Sequence, residues 1–261
     1  ARLLVTLHGS EIPKFSRFPL ERFRFRRLLR RAYQIHVLSR HNRDALLRIF
    51  PELKKCILLV PGAPSRSVLP VEKKNPSSDG IIRILTVGRI HPRKGQDRML
   101  TALTHLPSEL KGRLEYHIVG PKTKPAYHRE LRGQAAQAGL PVHFLGDLSP
   151  TELRDAYSAA DLFALTSMPA KNSVEGFGFV YLEAASHGLP ALAHRIGGVE
   201  DAVVHEETGF LVSHDKPGDL AKALEHLITD SALRRQLGQA ARERAADFTW
   251  ERPAKALYGK A

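Results

Sequence analysis

Two carboxylates, Glu175 and Glu183, stand eight residues apart around a glycine-rich turn. Residues 176–179 read Gly-Phe-Gly-Phe and lead into an apolar run that predicts a helix. Glycines at a helix start let a ligand approach free backbone N–H groups, and the helix dipole favours an anion there. Because eight residues are slightly more than two helical turns, the two carboxylates can reach different parts of one ligand. A capping acid followed by a solvated glutamate is the alternative interpretation.

A basic loop follows the predicted strand at residues 81–87. It contains Gly88, Arg89 and Lys94, and it matches neither the Walker A pattern nor G-x-G-x-x-G. The planar fork of an arginine and the compact charge of a lysine are suited to a diphosphate. Considered alone, the loop has the same composition as an ordinary basic surface loop.

His8 directly follows a predicted strand at residues 2–7. Ligands of parallel α/β folds bind beyond the carboxyl ends of strands, so His8 is a candidate for chemistry. A structural role is the alternative for a single histidine at a strand end.

Strands alternate with helices along the whole chain, which predicts parallel sheets covered on both faces. The predicted strands are residues 2–7, 34–38, 56–60, 81–87, 114–119, 142–145, 161–165, 190–193 and 209–212. The predicted helices are residues 39–50, 96–106, 126–138, 150–159 and 217–247, with a last one starting at Trp250. Residues 61–80 are rich in proline, glycine and polar residues and are predicted to be a linker. The predicted organisation is a first domain (1–60), this linker, a second domain (81–246) and a terminal helix (247–261).

Composition is that of a globular protein, with 261 residues and 43% hydrophobic content. The single cysteine, Cys56, excludes an internal disulfide framework and suits a reducing compartment. No apolar run is long enough to span a bilayer, and no N-terminal signal pattern is present. Because the chain starts within a strand-like run, we expect a fragment that lacks the front of its first domain.

The net charge of +13 is concentrated at the front, where residues 1–60 hold 14 Lys/Arg and 4 Asp/Glu. Such a surface favours an anionic partner. Within residues 14–33, one predicted helical face collects apolar residues, with arginines opposite: Phe25, Leu28, Leu29 and Ala32. This helix can lie on an anionic membrane, or it can face the core with a basic outer side. No RNP, KH or zinc pattern is present, so nucleic acid is not expected as a partner.

A series of short motifs in fixed order resembles the donor domain of a retaining GT-B glycosyltransferase of the group-1 (family 4) type. The motifs are Val87-Gly88-Arg89 with Lys94-Gly95, Ile118-Val119-Gly120, Phe144-Leu145-Gly146, Ala160-Asp161-Leu162-Phe163, Glu175-Gly176-Phe177-Gly178 with Glu183-Ala184, Gly188-Leu189-Pro190, Gly197-Gly198 with Glu200, and Thr208-Gly209-Phe210-Leu211-Val212. The front resembles the end of that family's acceptor domain, through His8-Gly9-Ser10-Glu11, Val37-Leu38-Ser39 and Val60-Pro61-Gly62-Ala63. The family usually has asparagine at or beside the position of Pro61. The fold implied is two Rossmann-like domains, of which the N-terminal one is incomplete and the donor-binding one complete.

The resemblance implies a role for each candidate residue. The donor diphosphate would be held by Gly88, Arg89 and Lys94. The donor sugar and distal phosphate would face Glu175 and the backbone of Gly176, Phe177, Gly178 and Phe179. The ribose would bind Glu183, and the base would lie against Leu145, Gly146 and Leu148. His8 would act with Glu175 at the reacting centre, from across the cleft.

The resemblance also implies a reaction, namely sugar transfer with retention of configuration through same-face attack. The donor would be a nucleotide sugar such as a UDP- or GDP-sugar, and the leaving diphosphate would accept the acceptor's proton. No Asp-x-Asp triplet occurs in the sequence, so we expect metal-independent transfer without a cofactor.

The acceptor is expected to be a saccharide or lipid-linked saccharide, in lipopolysaccharide, other cell-surface polysaccharide or glycolipid synthesis. The expected location is the cytoplasm, as a peripheral protein on the inner membrane face. Alternatives are a GT-B relative with epimerase or phosphorylase chemistry, against which the loop and glutamate spacing argue, and a protein that binds a nucleotide sugar or a membrane without turnover.

Overall fold

The computed structural model of the chain describes residues 2–70, 80–170, 173 and 175–259. Within these ranges the strands form two parallel sheets, one of three strands and one of six. Helices alternate with strands, and such crossover connections are what parallel neighbours require. The predicted α/β class is confirmed.

The first sheet has the strand order β1-β2-β3. Its elements are β1 (Leu4–Leu7), α1 (Glu11–Phe15), α2 (Pro19–Arg31), β2 (Gln34–Val37), α3 (Arg40–Ile49) and β3 (Ile57–Leu59). The Ser39 side chain caps α3 by accepting a hydrogen bond from the Asn42 backbone N–H at 3.2 Å. Leu29, Ile35 and Leu46 are fully buried between the helices and this sheet.

Helix α2 buries a narrower stripe than the sequence pattern predicts. Phe25, Leu29 and Ala32 are buried, but Leu28 is 46% exposed, so its placement on the core face was wrong. Leu28 and Leu29 are about 100° apart around a helix, and the sheet contact is centred on the line through Leu29. The result is a helix with apolar side chains on its outer surface as well as in the core.

The second sheet has the order β6-β5-β4-β7-β8-β9. Its strands are β4 (Ile82–Val87), β5 (Leu114–Val119), β6 (Val142–Gly146), β7 (Leu162–Leu165), β8 (Ala191–His194) and β9 (Gly209–Val212). The helices are α4 (Gln96–Thr104), α5 (Ser108–Lys111), α6 (Pro125–Ala136), α7 (Pro150–Ala159), α8 (Phe179–Ser186), α9 (Val199–Ala202), α10 (Pro217–Thr229), α11 (Ser231–Ala246) and α12 (Glu251–Tyr258). Winding reverses between β4 and β7, and open α/β sheets bind ligands at this switch point.

Both faces of the six-stranded sheet are buried, because alternate residues of each strand enter different cores. Ile84 and Leu162 join one apolar cluster. Leu85 and Phe163 join the other. This two-sided burial is why the strands read as continuous apolar runs in the sequence.

The first part of the predicted linker packs against the second sheet's helices, whereas residues 71–79 lie outside the described residues. The Val68 carbonyl is 2.7 Å from His187 Nε2, and the Pro64 carbonyl accepts a hydrogen bond from Trp250 Nε1 at 3.1 Å. The Trp250 ring stacks on Phe179 at 6.2 Å. Contact between α12 and residues 1–60 stays a prediction.

Short helices account for most of the differences from the predicted elements. The sequence analysis did not identify α1, α5 and α9, which have four or five residues each. Isolated helices of this length carry too little periodicity to detect. The helical stretch predicted at 217–247 is divided at Asp230, whose side chain caps α11 by accepting from the Leu233 N–H at 2.8 Å.

Two helical glycines provide a matched test of the packing between α8 and α11. A Cβ on Gly238 would lie 2.2 Å from the Gly188 carbonyl oxygen, whereas a Cβ on Gly133 in α6 meets nothing within 4 Å. We expect Gly238→Ala to lower the free energy of unfolding by about 1–3 kcal/mol through overpacking. Gly133→Ala should raise it by about 0.5–1 kcal/mol. Urea denaturation measures both, and equal effects would contradict the close approach.

Candidate functional site

A buried carboxylate is paired with the basic loop at the switch point. Glu175 Oε2 lies 2.8 Å from Lys94 Nζ and 3.5 Å from Arg93 Nη1, and it accepts a hydrogen bond from Ser167 Oγ at 3.1 Å. We call Glu175, Arg93, Lys94 and Ser167 the carboxylate cluster. Its members come from the loops after β4 and β7 and from the turn before α8.

The charges of the carboxylate cluster are mutually stabilising. Burial by itself raises the pKa of the Glu175 carboxyl, but the charge and hydrogen bond of Lys94, then the Arg93 charge and the Ser167 hydroxyl, lower it below its ordinary value. Glu175 is therefore ionised at neutral pH. It fixes the Lys94 ammonium group at the carboxyl ends of the two central strands.

The basic loop is fastened to the loop after β7 through backbone contacts. Gly95 is left-handed (φ 67°), and a Cβ on it would lie 1.9 Å from the Thr166 carbonyl oxygen. Thr166 Oγ donates to the Gly95 carbonyl at 2.6 Å, and the Met168 N–H donates to the Arg93 carbonyl at 2.8 Å. The loop is consequently held in one place relative to Ser167.

Arg89 is exposed at the end of β4, and its carbonyl accepts a hydrogen bond from Gln96 Nε2 at 3.0 Å. Across residues 2–70, 80–170, 173 and 175–259, the Arg89 guanidinium has no recorded ion pair. It is thus a cation at the same sheet edge as the carboxylate cluster but outside it.

Helix α8 starts without a side-chain cap. Gly178 occupies its N-cap position in the left-handed region (φ 84°), and its side-chain-free conformation leads directly to the Phe179 N–H. The Phe177 ring is buried and packs against Phe179 and Phe248 at 5.4 and 6.1 Å. The rings thus anchor the turn while the helix start keeps unsatisfied N–H groups that favour an anion.

The two sheets meet at Gly176. A Cβ on Gly176 would lie 1.9 Å from the His8 carbonyl oxygen, and the Gly176 carbonyl accepts a hydrogen bond from Ser39 Oγ at 2.6 Å. The Gly198 N–H donates to the Glu175 carbonyl at 2.8 Å. His8 from the first sheet and Glu175 from the second are therefore brought together, as the sequence analysis predicts, and the exposed His8 side chain lies at this junction.

An ion pair and a pocket flank the junction. Arg40 Nε lies 2.7 Å from Asp201 Oδ1. A pocket of about 260 Å³ lies between α1, α3 and residues 170 and 173, and its lining includes His41, Asn42 and Arg48. The buried Asn42 amide has no hydrogen-bond partner within the described ranges and lies beside Gly9.

Glu183 lies on α8 in a different environment from Glu175. Its carboxylate accepts a hydrogen bond from the Tyr157 hydroxyl at 3.0 Å and another from the Ser65 backbone N–H. Burial raises the pKa of Glu183, and these two hydrogen bonds offset only part of the increase. Glu183 is thus brought to the packed segment after the first sheet, and its contact with a ribose stays a prediction.

The residues predicted to contact a base lie at the end of β6. Gly146 is the last residue of this strand, and its carbonyl accepts a hydrogen bond from the Gly120 N–H at 2.7 Å. Leu145 is 39% exposed, and Leu148 packs partly buried against the core. All three are at the carboxyl edge of the sheet, and their contact with a base stays a prediction.

The sequence analysis missed Arg93 and Ser167 of the carboxylate cluster, and Asn42 and Asp201 at the junction. Arg93 stands in the same basic loop as Lys94, so its charge and position were available from the sequence. Ser167 and Asp201 have no distinguishing local pattern. Only the fold brings them to the site.

Comparison with known proteins agrees with this fold and site. A sequence model of the family described as "Glycosyl transferases group 1" matches residues 70–244. The chain belongs to this glycosyltransferase family. The resemblance identified from the motifs is therefore confirmed.

Two curated relatives illustrate the match. D-inositol 3-phosphate glycosyltransferase of Jonesia denitrificans is 36% identical over 176 residues, covering 66% of this chain and 40% of that protein. GDP-mannose-dependent alpha-(1-6)-phosphatidylinositol monomannoside mannosyltransferase of Mycobacterium tuberculosis is 28% identical over 266 positions, covering 96% of this chain and 67% of that protein. The match with the inositol-phosphate relatives spans about two fifths of their length (40% and 42%).

Solved structures of the same fold extend over almost the whole chain. Anabaena HepE in complex with UDP and glucose has a TM-score of 0.79 at 23% identity, covering 98% of this chain and 71% of that one. WaaG, a glycosyltransferase involved in lipopolysaccharide biosynthesis, has a TM-score of 0.76 at 19% identity, covering 98% and 75%. The predicted GT-B fold is confirmed.

We expect Glu175→Gln and Glu183→Gln to change the pH dependence of stability in opposite directions. The folded-state pKa of Glu175 is lowered, so its stabilising contribution is full above about pH 4.5 and is lost as the pH falls through the folded-state pKa. The folded-state pKa of Glu183 is raised, so its ionisation opposes folding increasingly as the pH rises from about 4.5.

The measurement is the free energy of unfolding in urea from pH 3 to 7. Relative to the parent, Glu175→Gln should lose stability as the pH rises and Glu183→Gln should gain it. Glu130→Gln, at an exposed position of α6, is the control. Parallel difference curves for the two variants would contradict the assigned environments.

Proposed function

We propose that the chain carries the donor site of a glycosyltransferase that moves a sugar, with retention, from a nucleotide sugar to a saccharide or lipid-linked acceptor. One observation carries this proposal. Glu175, paired with Lys94 at 2.8 Å, lies at the start of α8 and directly against the His8 backbone of the first sheet. A ligand at this point can contact cations, an anion-favouring helix start and the facing domain together.

The cations are proposed to bind the donor diphosphate. Lys94 is already positioned by Glu175, so little side-chain entropy is lost when it contacts a phosphate. Arg89 offers a planar fork of donors at the same sheet edge. Gly88 keeps the start of this loop free of a side chain. The uncapped start of α8, from Gly176 to Phe179, would bind the distal phosphate and sugar.

Glu183 is proposed to bind the ribose, and Leu145, Gly146 and Leu148 to contact the base. A ribose hydroxyl would add to, or replace, the hydrogen bonds that Glu183 accepts from Tyr157 and the Ser65 N–H. The name of HepE's complex includes UDP, and the mycobacterial relative is named for GDP-mannose. Both nucleotides are therefore candidates for this chain.

The proposed reaction breaks the bond between the anomeric carbon and the diphosphate oxygen and forms a bond to the acceptor oxygen on the same face. The acceptor proton passes to the departing phosphate oxygen. Lys94, Arg89 and the helix start would stabilise the charge that develops on the diphosphate, so transfer is proposed to need no metal and no cofactor. His8 and Glu175 would align the reacting sugar between the domains.

The acceptor is proposed to be anionic or lipid-linked, as in cell-surface polysaccharide or glycolipid synthesis. Two relatives are named for inositol phosphate and phosphatidylinositol acceptors. The pocket that includes Arg48 and Asn42 opens beside the junction on the first-sheet side and would admit part of such an acceptor.

Peripheral attachment to the cytoplasmic face of a membrane is proposed for the surface of α2 and the turn before it. Phe18, Leu20 and Phe23 are 52%, 60% and 62% exposed, among many arginines. Exposed apolar side chains next to cations match an anionic bilayer surface. Among the described residues, no helix has the length and apolar character needed to cross a membrane.

Donor binding without turnover is the second candidate function. The coverage of 40% of the inositol-phosphate relative favours it, since the residues present align with only part of that enzyme.

Donor binding is tested by calorimetry of the parent with UDP, GDP and ADP in chelator. We expect selective binding of one nucleotide. Arg89→Ala should weaken it by about 10- to 100-fold, the loss of a charged hydrogen bond of about 1.5–3 kcal/mol, and should change nucleoside binding less. Arg98→Ala, at an exposed arginine of α4, is the control. Equal losses for nucleoside and diphosphate, or no binding by the folded parent, would contradict the site.

Membrane attachment is tested by flotation with phosphatidylcholine vesicles, with and without phosphatidylglycerol. We expect binding that depends on the anionic lipid, and Phe23→Ser should weaken it about tenfold because a buried aromatic contributes roughly 1.5–3 kcal/mol. Tyr258→Ser, at a residue 67% exposed on α12, is the control. Binding that is independent of phosphatidylglycerol would contradict the proposal.

A further inference from the structure

Three metal-ligating side chains gather on one face of the second sheet, away from the carboxylate cluster. Glu115 and His117 are two residues apart on β5 and so point to the same face. His143 on β6 is the direct register partner of His117. The carboxylate cluster lies in the loops beyond the strands' carboxyl ends, whereas these three residues lie within the strands.

The side chains are already close to a coordinating arrangement. His117 Nε2 lies 3.1 Å from Glu115 Oε2, and the His117 and His143 rings meet edge to face with centroids 4.9 Å apart. One ligand atom from each of the three residues lies within 4.8 Å of the others. Tetrahedral zinc with bonds of about 2.0–2.1 Å needs ligand atoms about 3.4 Å apart, so small side-chain rotations suffice.

The ligand types select the metal class. Two imidazoles with one carboxylate suit zinc and similar borderline divalent ions, whereas calcium and magnesium prefer oxygen ligands. Glu115 and His117 are partly exposed and His143 is exposed, so an ion can enter from solvent. Three protein ligands leave one position for water.

An ion pair is the competing explanation for part of this cluster. Arg83 Nε lies 3.2 Å from Glu115 Oε2, and His117 adds a hydrogen bond to the same oxygen. This pairing accounts for Glu115 and His117 but gives no role to His143. It also leaves the second oxygen of the Glu115 carboxylate for a metal.

We propose that Glu115, His117 and His143 bind one zinc ion, which joins the edge strand β6 to β5. β6 is at the edge of the sheet and pairs only with β5 among the described strands. An ion held by both strands would restrain β6 and the residues that follow it, including Gly146. The site is structural and independent of sugar transfer.

The first test is calorimetric titration of the chelator-treated chain with zinc chloride. We expect one zinc per chain, with binding weakened at least about tenfold by His143→Ala. His105→Ala removes an exposed histidine of the same domain outside the cluster and should leave the affinity unchanged. No stoichiometric binding, or equal affinity of His143→Ala and parent, would overturn the site.

The second test is amide hydrogen exchange of residues 142–146 with and without zinc. Exchange should slow with zinc in the parent and in His105→Ala, but not in His143→Ala, because a ligand that binds only the folded edge strand stabilises it. Zinc binding without slower exchange in β6 would overturn the proposed joining of the strands.

Discussion

The close backbone approach at Gly176 is the constraint on which the site depends. The His8 carbonyl oxygen occupies the place that a side chain would need, and the Ser39 hydroxyl bonds to the next carbonyl. Residues of the first sheet therefore touch the turn that carries Glu175. The distance between the two sheets at the cleft is set by atoms of the main chain, which have fewer conformations than side chains.

Electrostatics gives the two glutamates different characters within one short segment. Glu175 is nearly enclosed but ionised, because Lys94 and Arg93 compensate for its burial. Glu183 is enclosed with only hydrogen-bond donors, so burial dominates and its pKa rises. The same residue type at a spacing of eight therefore supplies an anchor for cations in one place and a hydrogen-bond acceptor in the other.

The surface divides into regions suited to different partners. Cations and free N–H groups gather at the carboxyl ends of the central strands, where a nucleotide sugar is proposed to bind. Exposed phenylalanines and leucines among arginines cover α2, which suits an anionic bilayer. The histidine cluster lies on the strands β5 and β6, below the donor edge. Separate locations allow each proposed function to be altered without the others.

The sequence by itself determined the α/β class, most strands and the residues of the donor motifs, because buried parallel strands and glycine turns have strong local patterns. Tertiary structure alone decided that Ser167 and Arg93 join Glu175, that Leu28 faces outward, and that Glu183 meets Tyr157 and Ser65. These outcomes depend on which surfaces pack together across long stretches of chain. No local periodicity encodes them, since a serine, a leucine or a glutamate acquires its role from the neighbours that folding provides.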